Sequence, residues 1–195
     1  FVAFPDGFQT SWNAGMCCET AISNKVDDVG FIVAMVAAIG VEGSLDMGSI
    51  YATGLSNGGA MTHRLACEAT DTFTATAPIA FPVPYTDFNS QCTPPRSIPI
   101  FLFMGLTDTV IPYVNGPFGD AVESFNAWRE KQVCGVEPPE EQLSLGGSSC
   151  SFDRSCAAGT SQVGLCSVRG SAFPISSGLV DGHFLYLNDD DVVLP

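Results

Sequence analysis

Gly54-Leu55-Ser56-Asn57-Gly58 constrains the fold of this chain more than any other segment. It follows a β-rich run, Ser49-Ile50-Tyr51-Ala52-Thr53, and precedes Ala60 to Glu68, which reads as a helix. In that setting G-x-S-x-G is a nucleophile elbow: a strand turns sharply into a helix and holds a serine in a strained conformation. The glycines two before and two after the serine leave room for the close approach this requires. The hydroxyl then projects from the C-terminal edge of a sheet, beside a helix N-terminus. The bare pattern is weak in a chain with 20 glycines, so the flanking strand and helix carry the reading.

The other segments agree with an alternating architecture. Phe1 to Phe4 reads as a short strand stopped by the turn Pro5-Asp6-Gly7. Asp27-Asp28 opens a helix reaching about Ile39, with Phe31, Ile32, Met35, Val36 and Ile39 on its core face and Gly40 to end it. Thr74 to Ile79 and Ile98 to Met104 are buried-strand runs, Ala121 to Gln132 is an amphipathic helix, and Leu143 to Ser151 and Val163 to Val168 are strands. Strands alternating with helices predict a mostly parallel α/β sheet with helices on both faces. No internal repeat or linker divides the chain, which is expected to form one domain over 1–195.

Composition removes several function classes. Seven Lys+Arg against 21 Asp+Glu give a formal charge of −14, with no basic stripe, so nucleic acid and anionic membranes are poor partners. No apolar run approaches the roughly 18 residues of a membrane span. The 8 cysteines form no Cys-x-x-Cys pair, and only 2 histidines accompany them, so the count points to disulfides and an extracellular setting rather than to a metal site. No cofactor is implied. Spacing leaves the connectivity open. Cys17 or Cys18 with Cys67, and Cys134 with a cysteine of the Cys150-Cys156-Cys166 region, are the pairings considered.

A serine nucleophile needs a base, and the base needs an orienting carboxylate. His63 lies seven residues past Ser56 on one predicted helix, about 10 Å along the axis, too far to serve; it reads as a packing or surface histidine. His183, after Asp181-Gly182, is the candidate base. Asp108 is the candidate acid, because Gly105-Leu106-Thr107-Asp108 is the loop at the C-terminal end of a buried strand. Asp120 reads as a helix cap, Asp181 as part of a turn, and Asp189-Asp190-Asp191 as a solvated acidic turn. The backbone N–H of Asn57 is the candidate oxyanion donor. Trp12 is a candidate substrate-binding side chain with loop packing as the equal alternative, and Phe81 to Tyr85 reads as core more than as a binding wall.

A longer set of blocks resembles one family. Phe4-Pro5-Asp6-Gly7, Ser11-Trp12-Asn13-Ala14-Gly15 with Cys17-Cys18, Val26 to Phe31, Tyr51 to Gly59, Arg64 to Glu68, Gly105 to Asp108 with Ile111-Pro112-Tyr113, and Phe125 to Trp128 are similar, in this order, to the secreted esterases grouped with polyhydroxybutyrate depolymerases and feruloyl esterases. The resemblance covers most of residues 1 to about 134 and thins to cysteine spacing and Asp181-Gly182-His183 beyond. It implies an α/β-hydrolase fold, ester substrates (feruloyl or acetyl esters of cell-wall polysaccharide, or polyhydroxyalkanoate) and Ser56, Asp108 and His183 as the triad.

Three departures accompany it. Met104-Gly105 stands where the family has His-Gly. Gly170 to Val180 reads as an insertion. The family's strand ending in a His-Gly oxyanion loop would precede Phe1, so the sheet is expected to be N-terminally incomplete, its missing strand supplied by preceding residues or by a second chain. The alternative is a catalytically silent structural or binding protein on a hydrolase scaffold.

Overall fold

The computed structural model describes residues 1–43, 45–84, 87–135, 139–156, 161–169, 172–175, 178–181 and 183. The helices are α1 (Glu19–Ser23), α2 (Asp28–Gly43), α3 (Asn57–Glu68), α4 (Phe88–Gln91) and α5 (Ala121–Lys131). The strands are β1 (Tyr51–Leu55), β2 (Ala75–Ile79), β3 (Ile100–Gly105), β4 (Glu140–Leu145), β5 (Ser148–Asp153), β6 (Val163–Val168), β7 (Ala172–Ile175) and β8 (Gly178–Asp181).

Six strands form one sheet in the order β1-β2-β3-β6-β5-β4. The first four are parallel, and β5 and β4 extend the sheet antiparallel. This mostly parallel sheet, with α3 and α5 crossing over between its strands, is the α/β-hydrolase arrangement that the elbow sequence calls for. It brings the C-terminal ends of β1 and β3 to one edge. The β7–β8 hairpin, in the segment read as an insertion, is a separate antiparallel pair.

Strand alternation divides the core in two. Ile100, Leu102 and Met104 of β3 and Val163 and Leu165 of β6 belong to the main cluster with Trp128 and Phe125 of α5 and Leu65 of α3. Phe101 and Phe103 point the other way and join Phe152, Ile79, Val168 and the Cys150–Cys166 bridge in a second cluster made of strand residues. Ile32 and Val36 of α2 reach the main cluster, whereas Phe31, counted on the same face from its spacing, is half-exposed.

Four expectations change. Phe1 to Phe4 carries no strand: with no described neighbour to pair with, Phe1, Val2 and Phe4 are 93%, 78% and 91% exposed. The single strand read over Leu143 to Ser151 is a hairpin, because Gly146 and Gly147 both take positive φ (59° and 90°) and turn the chain. Cys67 bonds to Cys92 rather than to Cys17 or Cys18, which bond to each other; Cys134–Cys156 and Cys150–Cys166 complete the set. All eight cysteines are thus paired. Asp120 stands at the α5 N-cap, but its carboxylate accepts from Asn115 N (2.5 Å) rather than from the helix.

His63 is a packing residue. It is fully buried; Trp128 Nε1 donates to its Nδ1 (3.0 Å), so Nε2 carries the proton and donates to the Phe81 carbonyl (3.2 Å). Burial holds its pKa at about 4, against 6.5 for a free histidine, outweighing the opposing effect of the Phe81 bond. The folded state therefore resists a proton that the unfolded chain accepts. The stabilisation is complete above pH 6.5 and is lost as pH falls from there towards 4. A shift of this size corresponds to about 3 kcal/mol. Urea midpoints measured between pH 7 and pH 4.5 are expected to fall through that window. A flat profile down to pH 4.5 would contradict the neutral, buried assignment.

Candidate active site

The elbow is built from backbone geometry. β1 ends at Leu55, Ser56 takes φ 57° and ψ −121°, and α3 starts at Asn57. Ser56 N donates to Ile79 O of the neighbouring strand (3.0 Å) and Ser56 O accepts from Ala60 N (3.0 Å), so the strained residue is tied on both sides. A Cβ on Gly54 would collide with the Gly58 carbonyl. A Cβ on Gly58 would meet nothing within 4 Å, whereas one on Gly59 would collide with the Ile79 carbonyl. The close approach assigned to the second glycine of the motif therefore belongs to Gly59, one residue later. The signal was the doubled Gly58-Gly59, of which the motif uses only the first.

The strain at Ser56 has a measurable consequence. Non-glycine residues in such conformations carry of order 1–3 kcal/mol. Glycine removes that strain but loses more entropy on folding, roughly 0.5–1 kcal/mol. Ser56→Gly is therefore expected to be more stable than Ser56→Ala by about 1 kcal/mol in urea denaturation, both lacking the hydroxyl. Coincident midpoints would mean that the elbow is not strained.

Asp108 lies just past the C-terminal end of β3, with its side chain wholly buried. Its Oδ1 accepts from Val110 N and Ile111 N, both at 2.8 Å, and its Oδ2 faces His183 Nδ1 at 2.7 Å. A carboxylate only accepts, so Nδ1 carries the proton, and in the neutral ring Nε2 keeps its lone pair. The contact spans 75 residues of sequence. The His183 side chain is 11% exposed, so the pair is largely shielded from water. Ser56 Oγ forms no hydrogen bond to His183 among the described residues. Asp181 ends β8, and Gly182 and Asp189 to Asp191 lie outside the described residues, as does Tyr85. Phe81 and Val83 are buried core residues.

Trp12 is half-buried and stacks on Phe31 with centroids 6.4 Å apart. With Ser56 and Asn57 it lines a groove of about 880 Å³ that runs along β1. Phe1 to Pro5 wall the groove on one side, and Ile32, Val36 and Met61 are among its apolar lining. β1 is the end strand of the sheet and pairs only with β2 among the described residues. The side chain of Asn57, which sequence reasoning passed over, brackets the Trp12 backbone: Oδ1 accepts from Trp12 N (2.6 Å) and Nδ2 donates to Trp12 O (2.9 Å). Cys134, Asp153 and Cys156 cluster elsewhere, but the two sulfurs are bonded to each other and Asp153 pairs with Arg129 at 2.7 Å.

No protein-family model matches the chain. It is 31% identical over 199 residues to feruloyl esterase B of Piromyces equi, a match covering 94% of this chain and 35% of the relative. It is 28% identical over 158 residues to NocK of Nocardia uniformis subsp. tsuyamanensis, a protein assigned as an esterase, covering 81% of this chain and 42% of that one. The crystal structure of a thermostable esterase aligns over 54% of this chain and 24% of its own, with a TM-score of 0.41 and 24% identity. The chain is thus similar to esterases over most of its own length, and spans between a third and a half of the length of the two curated relatives it matches.

Proposed function

We propose that this chain carries the catalytic centre of a secreted serine esterase. Ser56 attacks the ester carbonyl, His183 Nε2 takes the proton and returns it to the leaving alcohol, and Asp108 holds the imidazolium. The Asn57 N–H donates to the tetrahedral oxyanion, and water then releases the acid from the acyl-enzyme. The observation that carries this reading is the Asp108–His183 hydrogen bond, made beside the end of a strand in the same parallel sheet as the elbow strand, with Nε2 making no hydrogen bond among the described residues. The relatives described as esterases support ester hydrolysis, and the one described as a feruloyl esterase favours aryl-acid esters of cell-wall polysaccharide over hydroxyalkanoate polyester. Four disulfides among the described residues favour an oxidising, extracellular location.

The groove beside β1 is part of the same proposal. In the working enzyme it takes a further β-strand, from a segment outside 1–195 or from a second chain, and the loop following that strand brings the second oxyanion donor to Ser56. An end strand facing an apolar groove, with Phe1, Phe4 and Tyr51 exposed around it, supports this. Lack of one oxyanion donor costs about 10²–10³ in rate.

The test is turnover of an aryl acetate, methyl ferulate and a polyhydroxybutyrate film by residues 1–195 alone and within a longer polypeptide that fills the groove. The expected result is ester hydrolysis with methyl ferulate preferred to the film, slower by that factor for 1–195 alone. Full-rate hydrolysis by 1–195 would remove the need for a second donor. No hydrolysis by either would leave a silent hydrolase scaffold.

A further inference from the structure

We propose that the Asn57 carboxamide is a positioning residue for acyl transfer. It locks the loop 11–18 onto the first turn of α3, so that the Asn57 N–H keeps its aim at the oxyanion and Trp12 becomes a fixed wall beside Ser56. This rests on the esterase reading and adds a role to a side chain that the reading does not use.

The argument starts from what each end of the bracket is tied to. Asn57 exchanges two hydrogen bonds with the Trp12 peptide groups, as one strand residue does with another, and its Nδ2 also lies 3.7 Å from Cys17 Sγ. The loop is anchored independently on α2 and α3. Asn13 N donates to Asp28 Oδ2 (2.6 Å), Asn13 Nδ2 donates to Val26 O (2.9 Å), and Arg64 Nη1 donates to Asn13 O (2.6 Å). Asp28 is 2% exposed, so its carboxylate is a fixed point. Arg64 is itself held by Glu68 at 2.8 Å. Within the loop, Ala14 N donates to Cys17 O (2.6 Å) and Cys18 N to Trp12 O (3.3 Å).

The loop is therefore held at several points: Asp28, Val26 and Arg64 grip Asn13, and Asn57, the residue next to the nucleophile, holds the Trp12 end. A donor must sit within a few tenths of an ångström of its productive position to stabilise an oxyanion, and a displacement of about 1 Å costs on the order of 10²-fold in rate. Truncating Asn57 frees the Trp12 end of the loop and removes the side-chain brace from the first turn of α3, which keeps only its backbone ties at Ser56. The effect belongs in kcat, because the oxyanion exists only in the transition state.

The test compares wild type, Asn57→Ala and Asn57→Asp in the protein as it exists. Asn57→Asp is nearly isosteric and keeps the acceptor for Trp12 N, but its ionised carboxylate cannot donate to Trp12 O. Two readouts are taken. The first is kcat and KM on an aryl acetate. The second is acrylamide quenching of tryptophan fluorescence. The chain has only two tryptophans, and Trp128 is fully buried, so quenching reports Trp12. The expected result is a 10- to 100-fold fall in kcat with KM changed less than about threefold, together with stronger quenching, in both variants. For Asn57→Asp, kcat relative to wild type should recover as pH falls and the new carboxyl gains a donor proton. Unchanged quenching, or stronger quenching with unchanged kcat, would overturn the proposal. If wild type turns over no ester, the esterase reading fails on its own, and unchanged quenching in the variants still refutes the bracket.

Discussion

Ser56→Ala is expected to lower kcat for aryl-ester hydrolysis about 10⁶-fold while the fold persists. The size follows from the role. Removing the nucleophile of such a triad forfeits covalent catalysis and general-base catalysis together, leaving only binding and the oxyanion donor. The fold should persist because the Ser56 side chain makes no hydrogen bond among the described residues. The ties that hold the elbow, Ser56 N to Ile79 O and Ala60 N to Ser56 O, are backbone bonds that alanine keeps. Steady-state kinetics with circular dichroism as the folding control decides it. A folded variant with more than about one per cent of wild-type kcat would mean that another group attacks the ester.

Asp108→Asn is expected to cost about 10⁴-fold in kcat. The geometry fixes how the introduced amide would sit. Val110 N and Ile111 N both donate to the position of Oδ1, so the carbonyl oxygen of the new side chain would stay there. Its NH₂ would then face His183 Nδ1 across the present 2.7 Å contact. Two donors cannot share that contact, so His183 is pushed to the tautomer with the proton on Nε2, which cannot accept from Ser56. Single-turnover acylation with an aryl acetate isolates this step. A loss of less than about tenfold would show that Asp108 does not set the tautomer.

The alternation of strands and helices was readable because Ile100, Leu102 and Met104, and Val163 and Leu165, must be buried, and a run of such residues has few alternatives. The position of Asp108 just past a strand end was readable for the same reason: the apolar run ends at Gly105. His63 could be set aside by helix geometry alone, and its burial against Trp128 and Phe81 agrees.

What escaped the sequence depends on contacts made across long separations. Phe1 to Phe4 has the composition of a strand, but a strand is a pairing, and no described neighbour supplies one. The partner of Cys67 is decided by where the chain after β2 carries Cys92, beside the end of α3, which no spacing rule encodes. The Asn57 side chain looked like a neutral position inside the elbow motif. Its partner, the Trp12 backbone, is 45 residues away. Gly59 was hidden because the motif draws attention to Gly58, whose Cβ position is empty.

The central claim is that Ser56 is an activated nucleophile, and covalent labelling with a fluorophosphonate followed by peptide mass mapping tests it most directly. The account predicts a single adduct on Ser56, abolished by Ser56→Ala and formed far more slowly by Asp108→Asn. An adduct on any other residue, or a folded protein that takes up no label, would contradict it.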